Sequence, residues 1–310
     1  MSKIITLTFN PVIDKSSTVD RIVPDKKLRC STPQFTPGGG GINVSRAMKN
    51  MGLDSTAIFP AGGHSGNFFI ELVKDEGIKC VITQTASYTR ENFIVLDTSA
   101  NQQYRFGFPG DPITEHELND LVTKVELEEA DYIVASGSLL PGMPDEILGE
   151  IAKIAKKKKA RFIVDTSGKA LQHSLDDGVY LLKPNLGELS SLVGKEEVAN
   201  EELNEIAREI IHKGQCEIVV VSMGAQGARL ITKDESFHAR APIVKRVSTV
   251  GAGDSMVAGM VIALINELPM QEVLRWGVAC GTAATITHGS ELCRKEDVNR
   301  LLNEIVISEG

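Results

Sequence analysis

Short apolar runs alternate with amphipathic stretches through the second half of the chain. The amphipathic stretches, at residues 146–157 and 201–212, repeat their apolar positions every three or four residues and predict helices. The apolar runs are rich in Val, Ile and Leu, which is typical of strands covered on both faces. They lie at residues 132–135, 162–164, 180–182 and 218–221. Strands that alternate with helices predict βαβ units and a mostly parallel sheet.

Two segments interrupt this alternation. Residues 15–36 contain prolines and scattered polar residues without a helical period, and residues 91–108 alternate apolar and polar positions around a turn at 99–101. They predict a few strands of a small second sheet beside the main domain. Such an appendage can close over a site and exclude water from it.

Composition narrows the class of protein. The chain has 310 residues, 42% of them hydrophobic, and a formal net charge of −8. An acidic chain is a poor general nucleic-acid binder, because those proteins present a basic surface. Five cysteines without a CxxC pair make a disulfide framework or a zinc site unexpected. There is no signal-peptide pattern, and the longest apolar stretch, residues 256–265, is shorter than the about 20 residues of a membrane span. We therefore expect a cytoplasmic protein with neither nucleic-acid nor membrane partners.

The strongest motif is STVGAGDS at residues 248–255, followed by an apolar helical run to Asn266. Glycines just before a helix leave backbone N–H groups free, and the helix dipole adds partial positive charge. The motif therefore predicts an anion site. Asp254 in or beside the first turn is either a helix cap or a base that takes a proton from an attacking hydroxyl, and spacing does not decide between them. We expect the helix N-terminus to lower the pKa of Asp254.

A second motif, GGGGIN at residues 38–43, leads into a helix. Four glycines allow the backbone to approach a ligand closely, and Asn43 is placed to bond sugar hydroxyls, although a flexible turn explains a bare glycine run more simply. The sequence contains no GxxxxGK[ST] loop, no GxGxxG after a strand and no GxSxG. Walker-type, Rossmann and α/β-hydrolase chemistry are therefore disfavoured.

A third group follows predicted strands. Lys183, Asn185 and Glu188 come just after the strand at 180–182, where open α/β sheets bind ligands. Asn185 and Glu188 are candidates to hold Mg²⁺ through waters, and Lys183 to meet a phosphate, but ordinary turn and helix-start chemistry is locally the stronger interpretation. The loop at 222–227 by itself indicates a hairpin turn.

Basic residues gather around the predicted second sheet. Arginine binds phosphate oxygens with a planar fork, so cations beside a lid favour an anionic substrate, although exposed arginines are commonly just solvated. They are Lys27, Arg29, Arg90 and Arg105. The six histidines show no metal-ligand spacing.

Taken together, the motifs resemble the ribokinase-like, phosphofructokinase-B sugar kinases. The resemblance covers residues 4–293, and its joint match in order is specific. Its segments are TFNP (8–11) with Asp14, PGGGGINVSRA (37–47), GSLLPG (137–142), KPNLGEL (183–189), VVVSMGAQGA (219–228) and STVGAGDSMVAG (248–259).

This resemblance implies an α/β/α main domain at residues 1–14, 37–89 and 107–310, and a small β lid at 15–36 and 90–106 that often forms a dimer contact. It implies transfer of the ATP γ-phosphate to a sugar hydroxyl, with Mg²⁺ and in many members K⁺. The matching positions are Asp254 as base, Gly251, Ala252 and Gly253 as anion hole, Asp14, Gly38, Gly39 and Asn43 for sugar, Lys183, Asn185, Glu188, Ser222, Gly224 and Gly227 for nucleotide and Mg²⁺, and Ser248, Val250, Ala284 and Gly289 for K⁺.

Within the family, Lys27, Arg90, Arg105 and Ser138 match a branch whose members bind a sugar that already carries a phosphate. Gly40 matches members that act on fructose 6-phosphate, and we expect phosphorylation at its O1 in glycolysis. Asn10 and Pro11 are more similar to members that act on fructose 1-phosphate or tagatose 6-phosphate, which remain alternatives. A non-catalytic sugar-phosphate sensor on the same fold is a remoter one, because Asp254 is present.

Overall fold

The computed structural model describes residues 2–287 and 291–310. Its helices, numbered in chain order, are α1 (Gly40–Asn50), α2 (Gly63–Asp75), α3 (Glu115–Leu127), α4 (Ile147–Lys158), α5 (Gly168–Ser174), α6 (Leu186–Leu192), α7 (Leu203–His212), α8 (Ala252–Ile265), α9 (Met270–Thr285) and α10 (Lys295–Leu302). Its strands are β1 (Ile4–Leu7), β2 (Val12–Val19), β3 (Gln34–Gly38), β4 (Thr56–Gly62), β5 (Lys79–Thr85), β6 (Arg90–Asp97), β7 (Gln102–Phe106), β8 (Tyr132–Ser136), β9 (Arg161–Asp165), β10 (Val179–Leu182), β11 (Cys216–Ser222), β12 (Ala228–Ile231), β13 (Ser236–Ala239) and β14 (Ile307–Glu309).

Ten of these strands form one sheet in the order β14-β13-β12-β11-β10-β9-β8-β1-β4-β5. Neighbours from β11 to β5 pair in parallel, and the hairpin β11–β12 together with β13 and β14 adds an antiparallel edge. The four strands expected from apolar runs lie in β8, β9, β10 and β11, each extended by one to three residues. The mostly parallel α/β fold is confirmed.

Helices cover both faces of this sheet. Successive strand residues point to opposite sides, so each strand packs against helices on both faces. On β8, Ile133 packs into the core under α3, α4 and α7, whereas Val134 packs against α1, α8 and α9. Both residues are fully buried. Burial on both faces explains why the strands are continuous apolar runs rather than alternating ones, and it gives the predicted three-layer arrangement.

The remaining strands form a four-stranded sheet in the order β3-β2-β6-β7. β2 and β6 are parallel, with Val12 opposite Arg90, and the other two pairs are antiparallel. The predicted turn is present, with Asn101 in the left-handed conformation. β2 begins at Val12 and β3 continues to Gly38. The first residues of β2 and the last residues of β3 therefore lie in the segments 1–14 and 37–89, which were expected to belong to the main domain. The division into main domain and lid stays a prediction.

No helix in the described ranges is both long and apolar enough to span a bilayer.

Candidate active site

The candidate site lies where the carboxyl ends of β1, β8 and β9 meet the first turns of α1 and α8. Glycines allow this meeting. A Cβ added to Gly40 would lie 2.4 Å from the Ser136 carbonyl carbon, and one added to Gly41 would lie 2.3 Å from the Leu7 oxygen. Any side chain at either position would push α1 away from the sheet. The glycine run is therefore a close backbone approach, not a flexible turn.

Asp254 is the third residue of α8 and is held by two donors from distant parts of the chain. The Asn43 side-chain amide donates to Oδ2 over 3.0 Å, and the Ser136 hydroxyl donates to Oδ1 over 3.0 Å. Asn43, on α1, was predicted at this site. Ser136, at the end of β8, was not. The two bonds fix the plane of the carboxylate.

The surroundings of Asp254 correct one expectation. Burial, reinforced by the nearby Asp165 carboxylate, raises the pKa of Asp254 to about 6. Hydrogen bonds from Asn43 and Ser136 and the charge of Lys183 act in the opposite direction. The expected lowering by the helix N-terminus was wrong, because removing a carboxylate from water outweighs the attraction of partial charges at a helix end.

Lys183 and Asp165 form a buried ion pair beneath the start of α8. Lys183 Nζ lies 2.9 Å from Asp165 Oδ1, and the two side chains are 5% and 14% exposed. A Cβ added to Gly253 would lie 3.7 Å from Lys183 Nζ and 3.7 Å from Asp165 Oδ2. Burial disfavours the charged lysine, but the charge and hydrogen bond of Asp165, together with the charges of Glu188 and Asp254, leave the pKa of Lys183 above its usual value. Asp165 was missed, although a carboxylate at the end of an apolar strand is a recognisable signal.

The loop before α8 turns sharply at Gly251. Its φ is 68°, and an added Cβ would lie 2.2 Å from a Leu292 methyl carbon. Only glycine fits there without strain. The turn leads into the first backbone N–H groups of α8, those of Ala252 and Gly253, which directly precede Asp254; the Ala252 N–H makes only a long contact of 3.4 Å, to the Thr249 carbonyl. The predicted anion hole thus has the backbone geometry of a helix N-terminus.

A cavity of about 450 Å³, here named the α8–α9 cavity, opens beside this turn. Ala252, Gly253 and Met256 of α8 and Val278, Gly281 and Thr282 of α9 form one wall. The predicted residues Ser222, Gly224 and Gly227 line the opposite side. Sequence reasoning missed the α9 residues and Ile243 and Val244, because apolar residues in a cavity have the same pattern as core residues. The cavity is the size of many small-molecule sites.

Asn185 and Glu188 cap α6 next to this cavity. The Asn185 side chain accepts from the Glu188 backbone N–H over 2.9 Å, and Glu188 Oε2 accepts from the Asn185 N–H over 2.8 Å. A bridge between Asn185 and Ser222 joins the cap to the cavity wall. Burial raises the pKa of Glu188. Within residues 2–287 and 291–310, no three metal-ligating side chains cluster as a ready cation cage.

A second group of predicted residues lies where the two sheets join. The Asn92 amide donates to Asp14 Oδ1 over 3.3 Å, and a Cβ added to Gly38 would lie 2.6 Å from Asp14 Oδ2. Burial raises the pKa of Asp14, with the Asn92 bond and the Arg90 charge opposing it. Gly39, with φ 110°, caps α1 in the same place. Asp14, Gly38, Gly39 and Asn43 are therefore brought together.

Arg90 spans the junction of the two sheets. It donates to the carbonyl oxygens of Phe108 over 2.7 Å and of Asn10 over 3.1 Å. The Asn10 amide in turn reaches the Ser138 hydroxyl over 3.3 Å. Arg90 and Ser138 thus belong to one polar cluster next to Asp14.

The other two predicted cations stand apart. Lys27 is exposed in the loop between β2 and β3, and in the described part of the chain it makes no hydrogen bond or ion pair. Arg105, exposed on β7, donates to Gln103 over 2.9 Å. Among the described residues neither is bonded to Asp254 or its partners, but the charge of Arg105 acts to lower the pKa of Asp14.

The two described segments that were predicted to bind K⁺, the loop before α8 and the end of α9, adjoin each other. The Ser248 N–H donates to the Thr285 carbonyl over 3.1 Å, next to Ala284, and the Val250 N–H donates to the Ser248 hydroxyl over 3.1 Å. Gly289, the fourth predicted residue, lies outside the described residues.

Comparison with known proteins places this geometry in a family. Residues 7–297 match the model of the pfkB family of carbohydrate kinases. The chain is 41% identical over 303 residues to the ATP-dependent 6-phosphofructokinase isozyme 2 of Escherichia coli, covering 97% of this chain and 98% of that protein. It is 31% identical to the 1-phosphofructokinase of Bacillus subtilis, covering 98% and 99%.

Solved structures agree with these relatives. The crystal structure of phosphofructokinase-2 from Escherichia coli in complex with potassium has a TM-score of 0.94 to this chain at 40% identity, covering 98% of this chain and 99% of that one. The complex of phosphofructokinase-2 with fructose-6-phosphate has a TM-score of 0.92 with the same identity and coverage.

Proposed function

The chain belongs to the pfkB family of carbohydrate kinases, and from this we propose that it transfers the γ-phosphate of ATP to O1 of fructose 6-phosphate, giving fructose 1,6-bisphosphate. One observation carries the proposal. Asp254 is a buried, oriented carboxylate that lies between the α8–α9 cavity and the polar cluster of Asp14 and Arg90. A phosphate donor and a sugar acceptor therefore have separate places on either side of it.

The proposed mechanism assigns Asp254 as the base. A carboxylate with a pKa of about 6 is ionised at neutral pH and accepts the proton from the attacking hydroxyl. Asn43 and Ser136 hold it in orientation, which matters because phosphoryl transfer depends on positioning and charge stabilisation. The N–H groups at the start of α8, Gly251 to Gly253, face the charge that develops on the transferred group.

The donor side fits a nucleotide with a magnesium ion. The α8–α9 cavity is large and mostly apolar, as an adenosine group requires. Mg²⁺ keeps several waters and takes one or two carboxylates plus substrate phosphates, so the absence of a dense acidic cage in the described residues is compatible with it. Glu188, with Asn185, would hold the ion through water, and Lys183 would face the phosphates. When bound, Mg²⁺ neutralises charge on the phosphates.

The acceptor side fits a sugar phosphate. Asp14, Gly38, Gly39 and Asn43 surround the space for the sugar hydroxyls. Arg90 and Ser138 would meet the existing phosphate, with Lys27 and Arg105 joining them when the small sheet closes. Gly40 favours fructose 6-phosphate, whereas Asn10 and Pro11 keep fructose 1-phosphate and tagatose 6-phosphate as alternatives.

Two further features complete the proposal. The loop of Ser248 and Val250 and the adjoining end of α9 at Ala284, with Gly289, would bind K⁺ through backbone oxygens. The small sheet carries aromatic side chains that are a third to a half exposed, a surface suited to a second copy of the chain in a homodimer. They are Phe93, Tyr104, Phe106 and Phe108. A cytoplasmic location remains a prediction.

We expect kcat/KM to fall with decreasing pH below about 6, because protonated Asp254 cannot accept a proton. Ser136→Ala removes a hydrogen bond that favours the ionised carboxylate, so the acidic limb of the pH profile should move to higher pH. Ser174→Ala, which removes a buried hydroxyl bonded only within α5, is the control and should leave the limb in place. A limb unmoved in Ser136→Ala would show that another group sets it.

We expect fructose 6-phosphate to give the highest kcat/KM when ADP release is measured with Mg-ATP and K⁺ on fructose 6-phosphate, fructose 1-phosphate and tagatose 6-phosphate. Arg90→Ala should raise the KM for the sugar phosphate by about tenfold or more, since a charged hydrogen bond is lost. Preference for one of the other sugars would keep the kinase mechanism and change the acceptor. An unchanged KM in Arg90→Ala would instead favour an acceptor without a phosphate.

A further inference from the structure

A second cavity lies on the other side of the turn that borders the α8–α9 cavity. It measures about 320 Å³ and sits against β12 and β13, at the edge of the large sheet. Ala225 and Ala241 line both cavities, so only the turn Gly224–Gln226 and the start of the following loop separate them. None of the roles assigned above to catalysis, sugar, nucleotide or cation uses this second cavity.

The charge of this cavity differs from that of the protein. Its titratable lining residues are Arg229, His238 and Arg240, and among the described residues that line it there is no aspartate or glutamate. The whole chain, in contrast, carries a formal net charge of −8. A concave surface lined by one sign of charge concentrates ions of the opposite sign. We refer to it as the basic cavity.

Arg229 is held in place but not neutralised. Its Nη1 donates to the Asn200 carbonyl over 3.3 Å and to Asn204 Oδ1 over 3.5 Å, which are long contacts to uncharged oxygens. Its Nε is buried without a hydrogen-bond partner, and the ion pairs of the described residues do not include it. A buried guanidinium N–H without an acceptor is costly, and at Arg229 it leaves a donor available beside a basic cavity.

His238 and Arg240 line the basic cavity together with Arg229. Arg229 and His238 lie directly opposite each other on β12 and β13. His238 Nε2 is 3.1 Å from the Gln226 carbonyl, which can only accept, so Nε2 carries the hydrogen; Nδ1 can donate to a phosphate oxygen only when the ring is protonated. Arg240 is exposed, and within residues 2–287 and 291–310 its guanidinium makes no hydrogen bond or ion pair.

We propose that the basic cavity is a binding site for a phosphate group, carried either by inorganic phosphate or by a small phosphorylated metabolite. Two planar guanidinium groups match the oxygens of a phosphate, and the unpaired Nε of Arg229 supplies a donor that is already desolvated. The Asn200 amide, which donates to Gln226 Oε1 over 3.3 Å, adds a polar wall. A volume of about 320 Å³ leaves room for a few carbon atoms beyond the phosphate.

Isothermal titration calorimetry with inorganic phosphate tests this site without relying on the proposed reaction. We expect Arg229→Gln and Arg240→Gln each to weaken phosphate binding by about tenfold or more, because each loses charged hydrogen bonds. Arg240 is exposed, so its variant keeps the test valid where Arg229→Gln fails to fold. Arg208→Gln is the matched control, since Arg208 is a partly buried arginine of α7 that does not line the cavity.

The same titrations separate the alternatives. Phosphate affinity that is unchanged in both cavity variants would overturn the proposal, as would weakening only in Arg90→Ala, which would place the phosphate in the sugar site. Glycerol 3-phosphate distinguishes the two sources of the phosphate group. Tighter binding of this ester than of inorganic phosphate, lost in Arg240→Gln, would support a phosphorylated metabolite, and the reverse order would support free phosphate.

Discussion

Asp254→Asn is expected to lower kcat by about 10²–10⁴-fold, because an amide cannot accept the proton of the attacking hydroxyl. The loss should appear in kcat more than in KM, since in the proposed mechanism Asp254 acts as the base during the reaction and does not hold either substrate. Coupled ADP release under saturating Mg-ATP and sugar phosphate measures it. The α8 backbone remains, so a residual rate above the uncatalysed one is expected.

The same variant should remain folded. The raised pKa of Asp254 means that burial disfavours its charged form, so the carboxylate costs stability increasingly as pH rises from its usual pKa toward about 6, and the full cost is present above that. Removing the charge should leave the melting temperature at pH 8 equal or higher. Asp54→Asn, at a carboxylate whose side chain is 81% exposed, is the control for both measurements. Near-normal turnover in a folded Asp254→Asn protein would refute the assignment of the base and revive a sensor function.

Asp165→Asn is expected to reduce the free energy of unfolding by about 3–5 kcal/mol, because it leaves the Lys183 ammonium buried without its counter-charge. The pair is mostly shielded from solvent, so its charges are not screened as surface charges are. Chemical denaturation at pH 7, monitored by circular dichroism, measures the change.

A second substitution tests the cause. In the double variant Asp165→Asn/Lys183→Met, the unpaired ammonium is gone and much of the lost stability should return. Glu209→Gln breaks the exposed pair of Glu209 and Lys213 and should cost no more than about 1 kcal/mol. If Asp165→Asn costs no more than Glu209→Gln, or if the double variant is as unstable as the single one, the pair does not stabilise the site in this way.

Local signals in the sequence identified most of the elements around the site. The apolar runs of β8 to β11 were recognisable because a strand buried on both faces needs apolar residues at consecutive positions. STVGAGDS placed Asp254 in the first turn of α8, because glycines and a following apolar run mark a helix start. The hairpin after β11 and the turn around Asn101 followed from turn chemistry in the same way.

The partners of Asp254 did not follow from local patterns. Ser136 is 118 residues away along the chain and Asn43 is 211, and they meet only because β8 ends, and α1 and α8 begin, at one edge of the sheet. Asp165 was overlooked for the same reason. A strand-end carboxylate becomes informative once its neighbours in space are known.

The order of residues thus determines which segments become strands and helices, and it places Asp254 in the first turn of its helix, since these depend on interactions between near neighbours in the chain. The folded arrangement decides the electrostatics. Burial and the nearness of Asp165 raise the pKa of Asp254, although the helix start suggested the opposite. It also leaves Arg229 and Arg240 without carboxylate partners among the described residues. The sequence could not show either result, because desolvation and the distance between charges exist only when distant segments are packed together.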